Sequence, residues 1–374
     1  MHTTVHTMMP SSSSGAAAMN LCGSGSATNV AFVTLLTGAK YAAPAACLPR
    51  QLRQVGSTCP IILVYDDDDA SLPLPMLHEA FNASSGDRMM PLSTLKARYA
   101  NAFNNHGLSG PAASPSDVIV GRRLYTSVEK SNLLLKLWLW ALPMQRAVFL
   151  DIDVVLVRNV DSLLAAQGTL AAVFCEKQLS GIFYNTGVMV FTPSLSKLHE
   201  LLEVARHIAS PWRGFYPWPG ERYAEICSPR NEPHAYRRLF PNTSNPFGAC
   251  RKVHAGRQPL FIQKACESKH TDQSAINHIF GASPSSLPSL PILASPSSGL
   301  NAAGGGVRRL LPIFNDNPWT GLNNETHIFH FSGEPKPWAA AALSSLARRM
   351  RGLADSRFKA VALWRRRCWV QHGT

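Results

Sequence analysis

The chain has 374 residues, 45% of them hydrophobic, which is enough to fill one large core or two small ones. Of the net charge of +13, the stretch from Arg348 to Arg367 carries +7 and the rest only +6, so the body is a moderately basic one suited to a diphosphate-bearing substrate and no nucleic-acid partner is expected. No run reaches the roughly 18 apolar residues of a membrane-spanning helix, and the N-terminus lacks the pattern of a secretory signal; the expectation is a cytoplasmic protein, with the Golgi as the alternative if the N-terminus is truncated.

Residues 1–28, rich in Ser, Ala, Gly and Met, read as a disordered leader ahead of a single domain over 29–345. Asn29 to Leu36 is a continuous apolar, β-branched run, the pattern of a strand buried on both faces. Tyr41 to Val55 reads as a helix, with Pro44 in its first turn and Gly56 just past its end. Pro60 to Tyr65 is a second buried strand, so the opening is a βαβ unit, the class is α/β and the sheet is expected to be parallel. Residues 84–120 read as polar and turn-rich. Glu129 to Leu142 is helical in pattern, Ala147 to Asp153 is a third buried strand, and Ala171 to Cys175 and Val188 to Phe191 are two more. Leu195 to Ile208 follows as an amphipathic helix, 209–268 as a long insertion, 281–306 as a low-complexity loop, and His327 to Phe331 as a last short strand. The segment 346–374 is a basic helix or tail, with Leu343, Leu346, Met350, Leu353, Val361 and Trp364 at helical spacing. Such a helix packs on the domain or makes a peripheral contact with an anionic membrane.

Eight cysteines are scattered without a CxxC, which argues against a zinc ribbon or a dense disulfide framework. Cys227, Cys250 and Cys266 lie close enough in sequence for one bridge. Asp66 to Asp69 reads as a solvated acidic loop.

Asp151 and Asp153 stand where an apolar strand ends. In an open parallel sheet ligands bind outside the carboxyl ends of the strands, and two carboxylates one residue apart can converge on a hard divalent cation that also takes phosphate oxygens. A polar turn is the bland reading of the same residues. Leu150-Asp-Ile-Asp-Val-Val155 also fits the first motif of haloacid-dehalogenase-type phosphatases, but the later acidic motif that chemistry needs does not follow.

Seven segments in order resemble glycosyltransferase family 8, the family of glycogenin and its plant and bacterial relatives. They are Ala31 to Tyr41, Lys136 to Trp140, Phe149 to Asp161, Tyr184 to Phe191, Thr271-Asp-Gln273, Leu311-Pro-Ile-Phe-Asn315, and His327 to Trp338 with its Gly-Glu-Pro-Lys-Pro-Trp ending. The resemblance implies a GT-A fold with a Rossmann-like nucleotide-binding sheet, a Mn²⁺ ion, a UDP-sugar donor and transfer with retention to a carbohydrate or protein acceptor. By the same resemblance Leu35, Thr37 and Tyr41 line the nucleoside pocket. Asp151, Asp153 (through both oxygens) and His330 hold the metal, Gly333 and Lys336 embrace the diphosphate, and Lys136 contacts the donor. Asn185, Asp272 and Gln273 surround the sugar, with Asp272 and Gln273 as the candidates for stabilising the reacting carbon and Lys336 for the leaving group. A non-catalytic sugar-nucleotide-binding scaffold of the same fold is the competing reading. Gly38 departs from the Asn or Asp of many relatives. No tyrosine lies between Asn315 and His327, so self-glucosylation of the glycogenin kind is not expected.

Overall fold

The computed structural model describes residues 22, 29–82, 86–105, 134–166, 168–174, 184–209, 272–280, 292–293, 307–316, 325–332, 336–338 and 356–368. Apart from Cys22, the leader lies outside them. So do the insertion 209–268 past its first residue, nearly all of 281–306, and the clustered Cys227, Cys250 and Cys266.

The apolar runs form the strands expected of them. β1 (Val30–Leu36), β2 (Ile61–Tyr65) and β4 (Arg146–Leu150) are almost wholly buried. Together with β3 (Arg88–Pro91) they make four adjacent parallel strands in the order β3-β2-β1-β4. Helix α1 (Ala42–Gln54) crosses between β1 and β2, and α2 (Leu74–Ala80) lies between β2 and β3. β1 therefore has β2 on one side and β4 on the other. Strand order reverses between β1 and β4, which opens a crevice at their carboxyl ends.

Beyond β4 the sheet departs from the parallel expectation. β7 (Tyr184–Phe191) runs antiparallel to β4 and to β6 (Leu170–Phe174), and β9 (Val307–Leu310) and β8 (Ile292–Leu293) complete an eight-stranded mixed sheet. Antiparallel neighbours need no crossover helix, and buried strands carry no alternation that would report direction. β5 (Val154–Leu156) leaves the main sheet after the turn at Asp151–Asp153 and pairs antiparallel with β10 (Ile328–His330). The buried Gln51 of α1 holds β5 in place, donating to the Val154 carbonyl at 3.5 Å and accepting from the Leu156 N–H at 3.0 Å.

Alternate residues of β1 and β4 feed two cores. Ala31, Val33, Leu35, Ala147 and Phe149 face α3 (Leu92–Asn105), a 3-10 helix over Leu135–Ala141, α4 (Leu195–Ala209) and α5 (Asp272–Phe280). Phe32, Leu36, Val148 and Leu150 face α1 and α2. Neither β3 nor α3 is part of the turn-rich reading of 84–120. Asp67 of the acidic run accepts the Ser93 N–H at 2.9 Å in the first turn of α3, satisfying a helix-end donor from 26 residues away.

A third core lies over the small sheet, where α6 (Ser356–Cys368) turns Ala360, Val361 and Trp364 onto Val155, Phe329 and Phe331. The apolar residues of the basic tail that are described thus pack on the domain; Leu343, Leu346, Met350 and Leu353 lie outside the described residues. Against the expectation of scattered thiols, all four described cysteines are paired, Cys22 with Cys59 and Cys47 with Cys368. These partners are 37 and 321 residues apart, separations from which no pairing can be read. No helix among the described residues is long and apolar enough to cross a membrane.

Candidate metal centre

Two chain segments end at the crevice. Thr37 to Tyr41 follow β1, and Asp151 to Asp153 turn out of β4 into β5. The turn is held from both sides, since the Asp151 N–H donates to the Gly187 carbonyl at 2.8 Å and the Asp153 carbonyl accepts the Phe331 N–H at 2.9 Å. Pairing of β10 with β5 brings His330, 177 positions from Asp153 in the chain, directly beside the acidic pair. His330 Nε2 lies 3.2 Å from Asp153 Oδ1 and 3.7 Å from Asp151 Oδ2. One ligand atom from each of the three residues falls within 4.8 Å of the others, the one such His/Cys/Asp/Glu group among the described residues. Among the described residues no third carboxylate joins the group, as the phosphatase reading would require.

Two lysines complete the charge balance. Lys136, buried on the 3-10 helix, places Nζ 3.4 Å from Asp151 Oδ2, 3.4 Å from the Thr186 carbonyl and 4.6 Å from the centre of the Phe149 ring. Lys336 Nζ lies 2.5 Å from Asp153 Oδ2 and donates to the Phe331 carbonyl at 2.8 Å. Burial opposes charge on the Asp153 carboxyl, yet His330 and then Lys336 hold it well below the ordinary carboxylate range. Asp151 keeps 31% of its side chain exposed against 15% for Asp153, so the Asp151 side of the group is the one open to an incoming ligand.

The donor set fits a hard divalent cation. It offers two carboxylates and one imidazole, an oxygen and nitrogen set that several divalent metals accept, and Gly187 leaves room for the ring: a Cβ there would stand 2.7 Å from Nε2 and closer still to Cε1 and Nδ1. With Lys336 on Oδ2, only Oδ1 of Asp153 faces His330, so ligation through both oxygens requires this ammonium to move away. Two carboxylates against two ammonium groups leave the site near neutral, and a divalent cation would make it positive.

Of the remaining expected residues, Asn185 and Gln273 are tied to the strand beside this centre. Asn185 lies in β7, where Oδ1 accepts the Gly187 N–H at 2.8 Å. Gln273, the second residue of α5, accepts from the Thr186 N–H and hydroxyl at 3.3 and 3.5 Å, which aims its amide at the same strand. Asp272 is the first residue of α5; its side chain, like the whole of Gly333, lies outside the described residues. Tyr41 stands edge-on to Trp338, ring centres 6.1 Å apart, so the segment after β1 meets the one carrying Lys336. Thr37 follows directly on β1, while Leu35 is buried in the first core. Asn315, not among the residues singled out from the sequence, touches both His330 and Asn185: its Oδ1 is 2.9 Å from His330 Nδ1 and its Nδ2 donates to Asn185 Oδ1 at 2.7 Å. Its position at the end of the Leu-Pro-Ile-Phe-Asn motif was the available signal.

The parallel strands thus form a Rossmann-like half-sheet with this site at its switch point, in a mixed α/β fold whose central sheet resembles the GT-A architecture. No family model matches the chain. Over 182 residues it is 26% identical to an Arabidopsis thaliana protein named "Putative UDP-glucuronate:xylan alpha-glucuronosyltransferase 5"; the match takes in 47% of this chain and 25% of that protein, so the chain spans about a quarter of that relative's length. Among solved structures it is similar to the glycosyltransferase GlyE of Streptococcus pneumoniae, with a TM-score of 0.44 and 11% identity over 91% of this chain and 61% of that one. It is also similar to mouse xyloside xylosyltransferase 1, with a TM-score of 0.37 and 12% identity over 82% and 99%. Both are loose likenesses.

Proposed function

We propose that the protein is a Mn²⁺-dependent glycosyltransferase of the family 8 type, moving a hexose or hexuronate from a UDP-sugar to a carbohydrate or protein acceptor with retention of configuration. The observation that carries the reading is the convergence of Asp151, Asp153 and His330 with Lys136 and Lys336 at the crevice between β1 and β4. The motifs shared with family 8 and the UDP-glucuronate in the plant relative's name support the donor class.

Breaking the bond between sugar and phosphate leaves a diphosphate with growing charge. A bound cation supplies electrostatic stabilisation of that leaving group. The chain's own part is to hold the cation through Asp151, Asp153 and His330, and to present Lys136 and Lys336 as fixed positive charges in the same site. Asn185 and Gln273, tied together through Thr186 and Gly187, form the wall against which the sugar rests. Asp272 and Gln273 are the residues for stabilising the reacting carbon, by a covalent route or by same-face attack.

The two disulfides support an oxidising compartment, in place of the cytoplasm expected from the lack of a signal or membrane-spanning pattern in the sequence. The deciding experiment is UDP release from a panel of UDP-glucose, UDP-galactose, UDP-glucuronate and UDP-galacturonate. Mn²⁺-dependent turnover of at least one donor is expected. Failure of all four, with binding of the sugar nucleotide retained, would favour the scaffold reading instead.

A further inference from the structure

We infer that Asn315 is a positioning residue that sets the tautomer of His330, by a one-way chain of hydrogen bonds that starts from the backbone of β7. The chain begins at a group whose polarity is fixed. The Gly187 N–H can only donate, and it points at an Asn185 side-chain atom 2.8 Å away, so that atom is the carbonyl oxygen Oδ1. Asn315 approaches the same oxygen at 2.7 Å, and an oxygen facing it there would be repelled, so the Asn315 atom is the amide nitrogen. The opposite end of the Asn315 amide is then its oxygen, which lies 2.9 Å from His330 Nδ1. An oxygen without a proton must receive one, so Nδ1 carries hydrogen in the neutral ring. The nitrogen left with its lone pair is Nε2, the atom that lies 3.2 Å from Asp153 Oδ1 and faces the acidic pair.

The backbone keeps this relay in register. Asp316, the next residue, accepts the His330 N–H at 2.8 Å and donates its own N–H to Ile328 at 2.9 Å, which fixes Asn315 alongside β10. An amide that turned over would set oxygen against the Asn185 oxygen and lose that hydrogen bond, and its nitrogen could bond Nδ1 only with the ring proton moved to Nε2, facing the acidic pair. The partly buried location of both bonds raises that cost. Asn315 thus does for a metal-ligating histidine what a carboxylate or carbonyl on the far ring nitrogen does at other centres: it fixes ring orientation and leaves the correct nitrogen bare. The same chain joins Asn185, at the wall of the sugar pocket, to the ring that would hold the ion.

The inference rests on the metal-binding part of the proposed function, and its test separates the two. The purified full chain, stripped of metal, is titrated with Mn²⁺ while the free ion is counted by its electron paramagnetic resonance signal. Wild type is expected to bind. Asn315→Leu, which keeps the volume and loses the acceptor, is expected to bind about 10- to 100-fold more weakly. Asn315→Asp, which keeps an acceptor for Nδ1–H but turns the donation to Asn185 into an oxygen–oxygen contact, is expected to bind more tightly than Asn315→Leu and more weakly than wild type. Should the leucine variant fail to fold, Asn315→Ser, too short to reach Nδ1, carries the same expectation. Wild-type affinity in folded Asn315→Leu or Asn315→Ser overturns the inference, and so does a loss in Asn315→Asp equal to that in Asn315→Leu, which would make the contact one of packing. If wild type itself takes up no Mn²⁺, the metal reading falls and the inference with it.

Discussion

Replacing Gly187 by alanine adds one methyl group where the His330 ring already lies. The backbone permits the change, because Gly187 is not among the glycines with positive φ and sits inside β7. The neighbour does not. Ordinary contact begins at 3.4 Å and the new Cβ would stand 2.7 Å from Nε2, so this nitrogen must retreat by about 0.7 Å, and Cε1 and Nδ1 by more. Metal–ligand distances tolerate about 0.2 Å. The ring has little freedom to comply, being held by the Asp316 carbonyl through its backbone N–H and by Asn315 at Nδ1. Gly187→Ala should therefore lose roughly 100-fold or more in Mn²⁺ affinity, at or beyond the upper end of losses from disturbing a ligand's support. Its thermal stability should fall by about 1–3 kcal/mol from overpacking. Gly38→Ala is the control, since that residue is extended and a Cβ there meets nothing within 4 Å. Metal titration with calorimetry on both variants reads the outcome. A folded Gly187→Ala protein with wild-type Mn²⁺ affinity would refute the placement of His330 against β7, and with it the ligand set.

The Cys47–Cys368 bridge ties α6 to α1. The double variant Cys47→Ala/Cys368→Ala should lose roughly 2–4 kcal/mol of stability, and non-reducing peptide mapping should recover the linked fragment; a free Cys368 thiol in the native protein would remove the bridge from the account. Asp67 is raised by partial burial but lowered more by its bonds to Ser93, for a net folded value below the ordinary one. It therefore contributes stability above an unfolded value of about 3.9, and that contribution fades as pH falls through the lower folded value. Asp67→Ala should melt lower than wild type at pH 7 by the equivalent of about 0.5 kcal/mol after allowance for solvent screening. Repeating the melts in acid should close the gap; a gap as wide at pH 2 as at pH 7 would mean the charge plays no part.

What was legible in the sequence was what is local. β1, β2 and β4 announce themselves because strands covered on both faces must be apolar throughout, and the acidic pair stands out because carboxylates between such runs need a partner. α3 was hidden because its cap, Asp67, comes from another part of the chain, and β3 because it is a short edge strand ending in Pro91. β7 begins at Tyr184, ahead of the strand expected from Val188, so Asn185-Thr-Gly187 lie within it, and the closeness of the His330 ring there explains why residue 187 has no side chain. His330 was reached through a family resemblance; its proximity to Asp153 is a consequence of β5 leaving the main sheet to pair with β10, which no local pattern encodes. Asn315 carries no chemistry of its own that would single it out, and its part emerges only when the polarity of three consecutive hydrogen bonds is followed.

The central claim is that Asp151, Asp153 and His330 hold a cation that recruits the nucleotide diphosphate. Calorimetric titration of UDP into metal-free and Mn²⁺-loaded protein, with wild type beside Asp153→Ala, tests it most directly. The account predicts tight binding only for wild type with Mn²⁺, and weak, metal-independent binding for a folded Asp153→Ala protein. Equal UDP affinity with and without Mn²⁺, or Mn²⁺-dependent binding that survives the loss of Asp153, would contradict it.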